Sequence, residues 1–195
     1  MSESHQPSAT SAVADAGSAD PDAEERADLL EALRKHRGLF LVTVQGLTDE
    51  QAASRPTVSE LCLGGLVKHV AATESEWARF VVEGPSTQPD MDWETIDWSN
   101  PPAAFVEYRN QFRMVEGDTL EGIVARYAEV AAATDALVAE VDLAARHPLP
   151  PAPWFEPGAT WSARRTFAHI VAETAQHAGH ADILRESIDG QKSMG

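Results

Sequence analysis

The sequence predicts an all-α protein with the architecture of a four-helix bundle and a long crossover between the second and third helices. Four long segments carry apolar side chains at intervals of three and four residues, which is the spacing of a helix packed on one face. No segment shows the regular polar and apolar alternation that indicates a strand. Prolines and glycines interrupt residues 85–117, which places the long connection between the second and third helical segments.

The composition limits the class of protein. The chain of 195 residues has 15 Lys and Arg against 31 Asp and Glu, a formal net charge of -16, which disfavours nucleic acid and anionic membrane surfaces as partners. The sequence contains neither a long apolar run nor a signal-peptide pattern, so we expect a cytoplasmic protein without a membrane span. The single cysteine, Cys62, excludes an intrachain disulfide, suits a reducing compartment and is interpreted as a small buried core residue.

The folded domain is expected over residues 25–190, between an N-terminal tail at 1–24 and a short C-terminal tail at 191–195. The N-terminal tail is rich in Ser, Ala, Asp and Pro, so it cannot bury enough apolar surface to offset its ordering entropy and is predicted to be disordered. The first helix is predicted over about 25–45. His36 lies on its apolar face and is interpreted as a packed histidine rather than a metal ligand.

A short helical turn and a long second helix come next along the chain. Thr48 and Gln51 have the spacing of a capping box, which predicts the start of the short turn. The second helix is predicted over about 59–83, and the Gly-Pro pair that follows is a strong stop signal. Its Gly64 and Gly65 have no side chain, so we expect another stretch of backbone to approach closely there.

The crossover contains one short helical pattern, at residues 103–112, among irregular segments. Trp93 and Trp98 lie in acidic surroundings within it. A long aromatic connection of this kind can form a wall or lid over a pocket. The two tryptophans would equally well serve only to anchor the loop to the core.

The third helix is predicted over about 119–141, with Asp118 and Glu121 as its N-terminal capping pattern. Its apolar residues alternate spacings of four and three, which is typical of a bundle helix with a structural role. The proline-rich segment 146–161 that follows must be extended or turned, so His147 is expected to be a solvent-exposed loop residue.

The fourth helix, over about 161–190, carries an ionisable stripe formed by His169, Glu173, His177 and His180. At about 100° per residue, these side chains fall within roughly 80° of one another around the helix. The large apolar residues of this helix lie about 120° away, so the stripe could be an ordinary solvated face. However, a solvated face usually carries Lys and Glu, whereas this one consists mainly of histidine.

A divalent metal ion is the ligand that such a stripe would bind. Glu173 and His177 lie one helical turn apart and could ligate one ion, although His169 with Glu173, or His177 with His180, satisfies the same spacing. A third ligand must come from elsewhere, and His69 in the second helix is the best candidate. Two imidazoles and one carboxylate suit zinc, nickel, manganese or iron(II), and leave coordination positions open for water or substrate.

Two strings of the sequence carry a family resemblance, LGGLVKHVAATESEW at residues 63–77 and HIVAETAQHAGHADILRESIDG at 169–190. Together they resemble the DinB-like superfamily, and more specifically its actinobacterial mini-circle branch, which is related to mycothiol-dependent enzymes. The resemblance covers roughly residues 26–190. It implies a four-helix bundle that holds a divalent metal ion, zinc in the first instance, with nickel, manganese or iron as alternatives.

Carried over residue by residue, the resemblance implies that the metal ligands are His69, Glu173 and His177. His180 or His169 would then be the catalytic residue, acting as an orienting group or a proton relay. The implied activity is a metal-dependent thiol S-transferase or thiol-dependent isomerase that joins a low-molecular-weight thiol such as mycothiol to a small electrophile. The alternatives are a metal-dependent hydrolase and a non-catalytic metal-binding or stress-associated protein. Pairing into a homodimer is expected by analogy.

Overall fold

The computed structural model describes residues 21–86, 97, 99–152 and 154–193. Most of this part of the chain is helical, which confirms the predicted all-α fold. None of its helices is long and apolar enough to cross a membrane. The elements, in chain order, are α1 (Pro21–Val42), α2 (Asp49–Ala53), α3 (Leu63–Glu83), α4 (Ala103–Gln111), α5 (Leu120–Glu140), β1 (Arg146–Pro148), β2 (Thr160–Ser162) and α6 (Ala163–Asp189).

The bundle consists of the four long helices α1, α3, α5 and α6. Helix α3 packs against both α5 and α6, and α1 packs mainly against α6. The crossover between α3 and α5 contains the short helix α4, as predicted from the pattern at 103–112. Trp93 and Trp98, the predicted wall or anchor of the crossover, lie outside the described residues, as does nearly all of the predicted N-terminal tail.

The start of α3 differs from its prediction. The helix begins at Leu63 rather than near Ser59, because Cys62 occupies the N-cap position. The Cys62 sulfur accepts a hydrogen bond from the backbone N–H of Gly65 over 3.4 Å, and the residue is only 1% exposed. The interpretation of Cys62 as a buried residue is therefore confirmed, with an additional role in capping the start of the helix.

The cap predicted for the third long helix was wrong. Thr119, and not Asp118, caps α5, since its hydroxyl accepts the backbone N–H of Gly122 over 3.1 Å. The Asp118 carboxylate is engaged elsewhere, 2.6 Å from the ammonium group of Lys68 in α3. The side chain that was predicted to cap α5 therefore forms a long-range ion pair with α3 instead.

The paired glycines at the start of α3 allow the close approach that the sequence predicted. A Cβ atom on Gly65 would lie 2.1 Å from the carbonyl oxygen of Phe112, and one on Gly64 would lie 2.4 Å from the sulfur of Met114. Gly65 has no room for a side chain, because its neighbour is backbone, whereas a side chain at Gly64 would require the Met114 side chain to move. The residues that follow α4 are thus held directly against the first turn of α3.

His147 does not have the exposed loop position predicted for it. It lies in β1, which pairs antiparallel with β2 and places His147 opposite Trp161. Its Nε2 atom is 3.2 Å from the carbonyl oxygen of Val81, and its ring packs edge-on against Phe80. The proline-rich segment is extended, as predicted, but it folds back as a short hairpin onto the end of α3, which half-buries the imidazole.

A charged network lies inside the bundle and links three of the four long helices. Arg37 of α1 binds both carboxylate oxygens of Glu74 of α3, at 2.5 and 3.1 Å. It also donates to Asp135 of α5 over 2.7 Å. Arg37 is 6% exposed and Glu74 is 1% exposed, so each charge depends on the other for its neutralisation.

Removal of the Arg37 charge is expected to destabilise the bundle strongly. In an Arg37→Met variant, Glu74 would remain buried without its partner, which typically costs about 3–5 kcal/mol of unfolding free energy. The double variant Arg37→Met/Glu74→Leu should recover part of that loss, because no lone charge stays buried. Urea titrations followed by circular dichroism would measure both values.

The exposed pair of Arg55 and Glu60 provides a matched control, because both side chains face solvent. Arg55→Ala should cost no more than about 1 kcal/mol. If Arg37→Met cost no more than Arg55→Ala, the buried network would have no special place in the stability of the fold.

Candidate metal centre between α3 and α6

The length of α6 brings the four stripe residues to one side of the bundle. The helix begins after Ser162, whose hydroxyl accepts the backbone N–H of Arg165 over 3.2 Å. It continues for 27 residues until Gly190, which has the left-handed backbone conformation (φ 80°) that ends many helices. No proline interrupts this stretch, so the spacing of the stripe residues is that of a regular helix.

Glu173 lies between two histidines of its own helix. Its Oε1 atom is 3.5 Å from Nε2 of His169, one turn earlier, and its Oε2 atom is 3.8 Å from Nε2 of His177, one turn later. Both separations exceed those of a good hydrogen bond. The side chains are 28% exposed for Glu173, 22% for His169 and 14% for His177, so this part of the stripe is not a solvated face.

His69 of α3 reaches the same place from across the helix interface. Its ring centre lies 4.9 Å from that of His177, and the two rings are nearly perpendicular. On its other side, the His69 ring stacks on Phe112 at 4.2 Å. Its Nδ1 atom is buried and has no hydrogen-bond partner. Such a buried polar atom is costly unless a further group satisfies it.

His180 lies at the outer edge of this group. Its Nδ1 atom is 3.5 Å from Nδ1 of His177, and its side chain is exposed to solvent. His177 therefore has three titratable neighbours, namely His69, Glu173 and His180. The structure brings all the ligand residues proposed from the sequence to this one point.

His169 has different surroundings from the other three histidines. Its ring makes T-shaped contacts with Trp77 of α3 and Trp161 of β2, with ring centres 4.9 and 4.8 Å away. The two indoles stack on each other at 5.0 Å. This aromatic contact fixes the imidazole while its Nε2 atom faces Glu173, so His169 is held as a neighbour of the carboxylate rather than of His69.

Burial favours the neutral form of the histidines. Desolvation lowers the pKa of His69, and the nearby His177 lowers it further, against weaker opposing effects of Gln111 and Glu173. Desolvation and the charge of His180 also lower the pKa of His177. For His169, desolvation lowers the pKa more than Glu173 raises it. Neutral imidazole is the form that binds a metal ion.

The fit of these residues to a metal ion depends on their arrangement and on their donor chemistry. In the described part of the chain, no group of three or more His, Cys, Asp or Glu side chains is already arranged to hold one. The chemistry of the donors nevertheless fits, because neutral imidazoles, a carboxylate and the unpartnered Nδ1 of His69 lie together. Donors of one tetrahedral ion lie about 3.3 Å apart, so the 3.8 Å between Glu173 and His177 would have to shorten only slightly.

No pattern in the sequence indicated two residues that lie next to His69. Phe112 and Gln111 come from the end of α4, in a crossover without periodic pattern. The available signal was the glycine pair, because the approach of the Phe112 backbone to Gly65 is what places the Phe112 ring over His69. The role of Trp77 and Trp161 around His169 was also missed, since tryptophan at helical spacing ordinarily indicates core packing.

Comparison with known proteins places the chain in a family. The model of the mycothiol S-transferase family matches residues 28–190, which is most of the chain. The chain belongs to the mycothiol S-transferase family. This is a DinB-like family, and its name associates its members with S-transfer involving the thiol mycothiol. The matched residues include α3 and α6, and therefore the whole candidate centre.

A solved structure shows that the fold is shared with a distant protein. The crystal structure of a conserved protein from Enterococcus faecalis aligns with a TM-score of 0.59 and 15% sequence identity. The alignment covers 85% of this chain and 97% of that one, so the fold likeness extends over nearly the whole of the other protein. No curated protein matches this member of the mycothiol S-transferase family.

The lowered histidine pKa values predict how the stability of the metal-free protein depends on pH. His69, His169 and His177 titrate below their ordinary value of 6.5 in the folded chain. At a pH between 6.5 and the lower pKa values of the folded chain, the unfolded chain binds more protons than the folded chain. The contribution of these histidines to the unfolding free energy is therefore fully present above pH 6.5 and is lost as the pH decreases through this range. Urea titrations from pH 7.5 to 5 should show a decreasing midpoint.

A His69→Gln variant is the control for this titration, because it removes one of the three groups. Its midpoint should depend less steeply on pH over the same range. An equal slope in the variant and the parent protein, or proton NMR titrations of these imidazoles at or above 6.5, would contradict the burial of neutral histidines.

Proposed function

We propose that this protein is a divalent-metal-dependent S-transferase in which His69, Glu173 and His177 hold the metal ion. One observation carries the proposal. The His69 ring from α3 meets His177 of α6 at 4.9 Å, next to Glu173, while its own buried Nδ1 atom has no partner. A divalent ion would satisfy that atom and bring the three donors together.

The identity of the ion follows from the donor set. Two nitrogens and one carboxylate oxygen suit zinc first, and nickel, manganese or iron as alternatives. Three protein ligands leave at least one coordination position open for a substrate atom. When bound, the ion would supply positive charge that lowers the pKa of a thiol, so that thiolate is present at neutral pH.

The reaction joins the sulfur of mycothiol to the carbon of a small electrophile. The S–H proton leaves, a new S–C bond forms, and the bond from carbon to the leaving group breaks, with its electron pair departing on that group. We assign the proton to His180. Its exposed imidazole lies beside His177 at the outer edge of the centre, where it can take up the proton and release it to water.

His169 has a positioning role in this proposal. Trp77 and Trp161 fix its ring, and its Nε2 atom lies 3.5 Å from Glu173. A neutral imidazole that donates its N–H to the free oxygen of the carboxylate would orient the other oxygen toward His177. Groups of this kind hold a metal-binding carboxylate in place without touching the metal.

Three finer assignments accompany the proposal. The signature at 173–190 supports membership of the mini-circle branch, and use of a low-molecular-weight thiol supports a cytoplasmic location. Pairing as a homodimer is supported by a flank of small residues on α6, because Ala168, Ala172 and Gly179 are exposed in the single chain. Small side chains of this kind let two helices approach closely.

Metal content tests the ligand assignment directly. Wild-type protein purified without a His tag should carry about one divalent ion per chain by elemental analysis. His69→Ala, Glu173→Ala and His177→Ala should each lose the ion together with thiol-dependent product formation, because two remaining ligands bind weakly. The helical circular dichroism spectrum should persist in each variant, since the centre lies at one side of the bundle.

His36→Ala is the matched control, because it removes a half-buried histidine from α1, a helix that contributes no residue to the proposed centre. It should keep both metal and activity. Stoichiometric metal in the His177→Ala variant would overturn the ligand set. Turnover of the electrophile that is unaffected by omission of mycothiol would favour hydrolysis over S-transfer.

The proton-transfer role of His180 has a separate signature. His180→Gln should keep the bound metal and the KM for mycothiol, while kcat falls by about a hundredfold and its dependence on pH changes in the acidic range. His36→Gln should leave the pH profile unchanged. If His180→Gln lost metal instead, His180 would be a ligand and not the proton acceptor.

A further inference from the structure

A groove lies on the face of α3 next to the candidate metal centre. It is bounded by α3, α4 and the start of α5, and its volume is about 770 Å³. Pockets of several hundred Å³ are the usual size for small-molecule ligands. Lys68 lines this groove, while the adjacent His69 belongs to the candidate centre, so the two sites occupy neighbouring faces of one helix.

The charges that line the groove balance. Three basic residues and three acidic ones line it, in a chain whose formal net charge is -16. The basic groups also have acidic partners, since Lys68 lies 2.6 Å from Asp118, Arg79 lies 3.3 Å from Glu83, and Arg126 lies 3.7 Å from Glu129. A groove of this kind offers many hydrogen-bonding groups without an excess of either charge, which suits an uncharged polar ligand.

The floor of the groove is apolar and is built from small or branched side chains. Ala71, Ile123 and Val130 are each less than a tenth exposed. Gly122 adds no side chain and keeps the groove open between α3 and α5. An apolar floor below carboxylates, amides and guanidinium groups matches a ring that presents C–H groups on its face and hydroxyl groups at its edge.

One residue joins the groove to the candidate centre. Gln111, at the end of α4, lines the groove, and the next residue, Phe112, stacks on the imidazole of His69 at 4.2 Å. A molecule that extends along the groove past Gln111 would therefore bring one end to His69. This is the arrangement required when most of a substrate binds at a distance from its reacting atom.

We propose that this groove binds the uncharged, hydroxyl-rich body of the thiol cosubstrate, with its sulfur directed past Gln111 toward His69. This inference deepens the proposed function and depends on it for the identity of the ligand. It makes the groove a determinant of thiol specificity, separate from the metal ligands. The hydroxyl groups of the ligand exchange hydrogen bonds with the walls, and its ring faces cover the apolar floor.

The test uses the full-length protein and two unreactive probes, the S-methyl derivative of mycothiol and S-methyl N-acetylcysteine, which has no hydroxylated ring. The exposed Ser75 of α3 lines the groove, so Ser75→Trp places an indole in it. Ala128→Trp is the matched control, because Ala128 is exposed on α5 and does not line the groove. Calorimetry would measure the Kd of each probe, and elemental analysis the metal content.

We expect wild-type protein to bind the mycothiol derivative at least about tenfold more tightly than the smaller probe, because only the former can fill the groove. Ser75→Trp should remove that preference, whereas Ala128→Trp should keep it. The metal content of both variants should equal that of the wild-type protein. Equal binding of the two probes by wild-type protein, or an unchanged preference in Ser75→Trp, would overturn the groove assignment.

The two proposals can fail separately. S-transfer with an unchanged KM for mycothiol in Ser75→Trp would leave the proposed function standing and reject the groove. Binding of the mycothiol derivative that Ser75→Trp abolishes, in a wild-type protein that transfers no thiol, would keep the groove as a ligand site and reject the S-transferase activity.

Discussion

The packing of α3 against α6 is the contact on which the candidate centre depends. In the proposed ligand set, Glu173 and His177 belong to α6 and His69 to α3, so the set is complete only across this interface. The 4.9 Å between the rings of His69 and His177 exists only while the two helices keep their register. A rotation of either helix by one residue, about 100°, would separate the imidazoles entirely.

The position of α3 in the bundle is restricted by contacts of two different kinds. At the start of α3, Gly65 admits the backbone of Phe112 so closely that any side chain would push the crossover away from the bundle. Further along α3, the buried pair of Glu74 and Arg37 ties the helix to α1, where a slip would leave a charge without its partner. Steric fit near the start of α3 and charge pairing near its middle therefore both restrict the position of this helix.

The sequence predicted the fold well because a bundle is encoded by local periodicity. The four long helices, the capping box at Thr48 and Gln51 and the stop after Glu83 all depend on neighbours within about four residues. Two of the errors involve partners distant in the chain. Asp118 binds Lys68 instead of capping α5, and His147 contacts Val81 and not solvent. Neither contact can be predicted from the residues that are near it in the sequence.

The sequence also predicted which side chains lie together in the candidate site, whereas their role as metal ligands stays a prediction. Helical spacing alone brought Glu173, His177 and His180 together, but it left several ligand pairs open, and only the family resemblance selected one set. The position of Phe112 and Gln111 next to His69 could not be predicted from the sequence, because a crossover is positioned by tertiary packing rather than by periodicity.

The burial of Cys62 has a consequence for a member of a thiol-transferring family. A protein that handles electrophiles is exposed to alkylation of its own thiols. Here the only cysteine of the sequence is 1% exposed, and its sulfur is held against the first turn of α3 by the N–H of Gly65. If the chain performs the proposed S-transfer, Cys62 would therefore offer the electrophile no accessible sulfhydryl that competes with the small-molecule thiol or becomes trapped as a dead-end adduct.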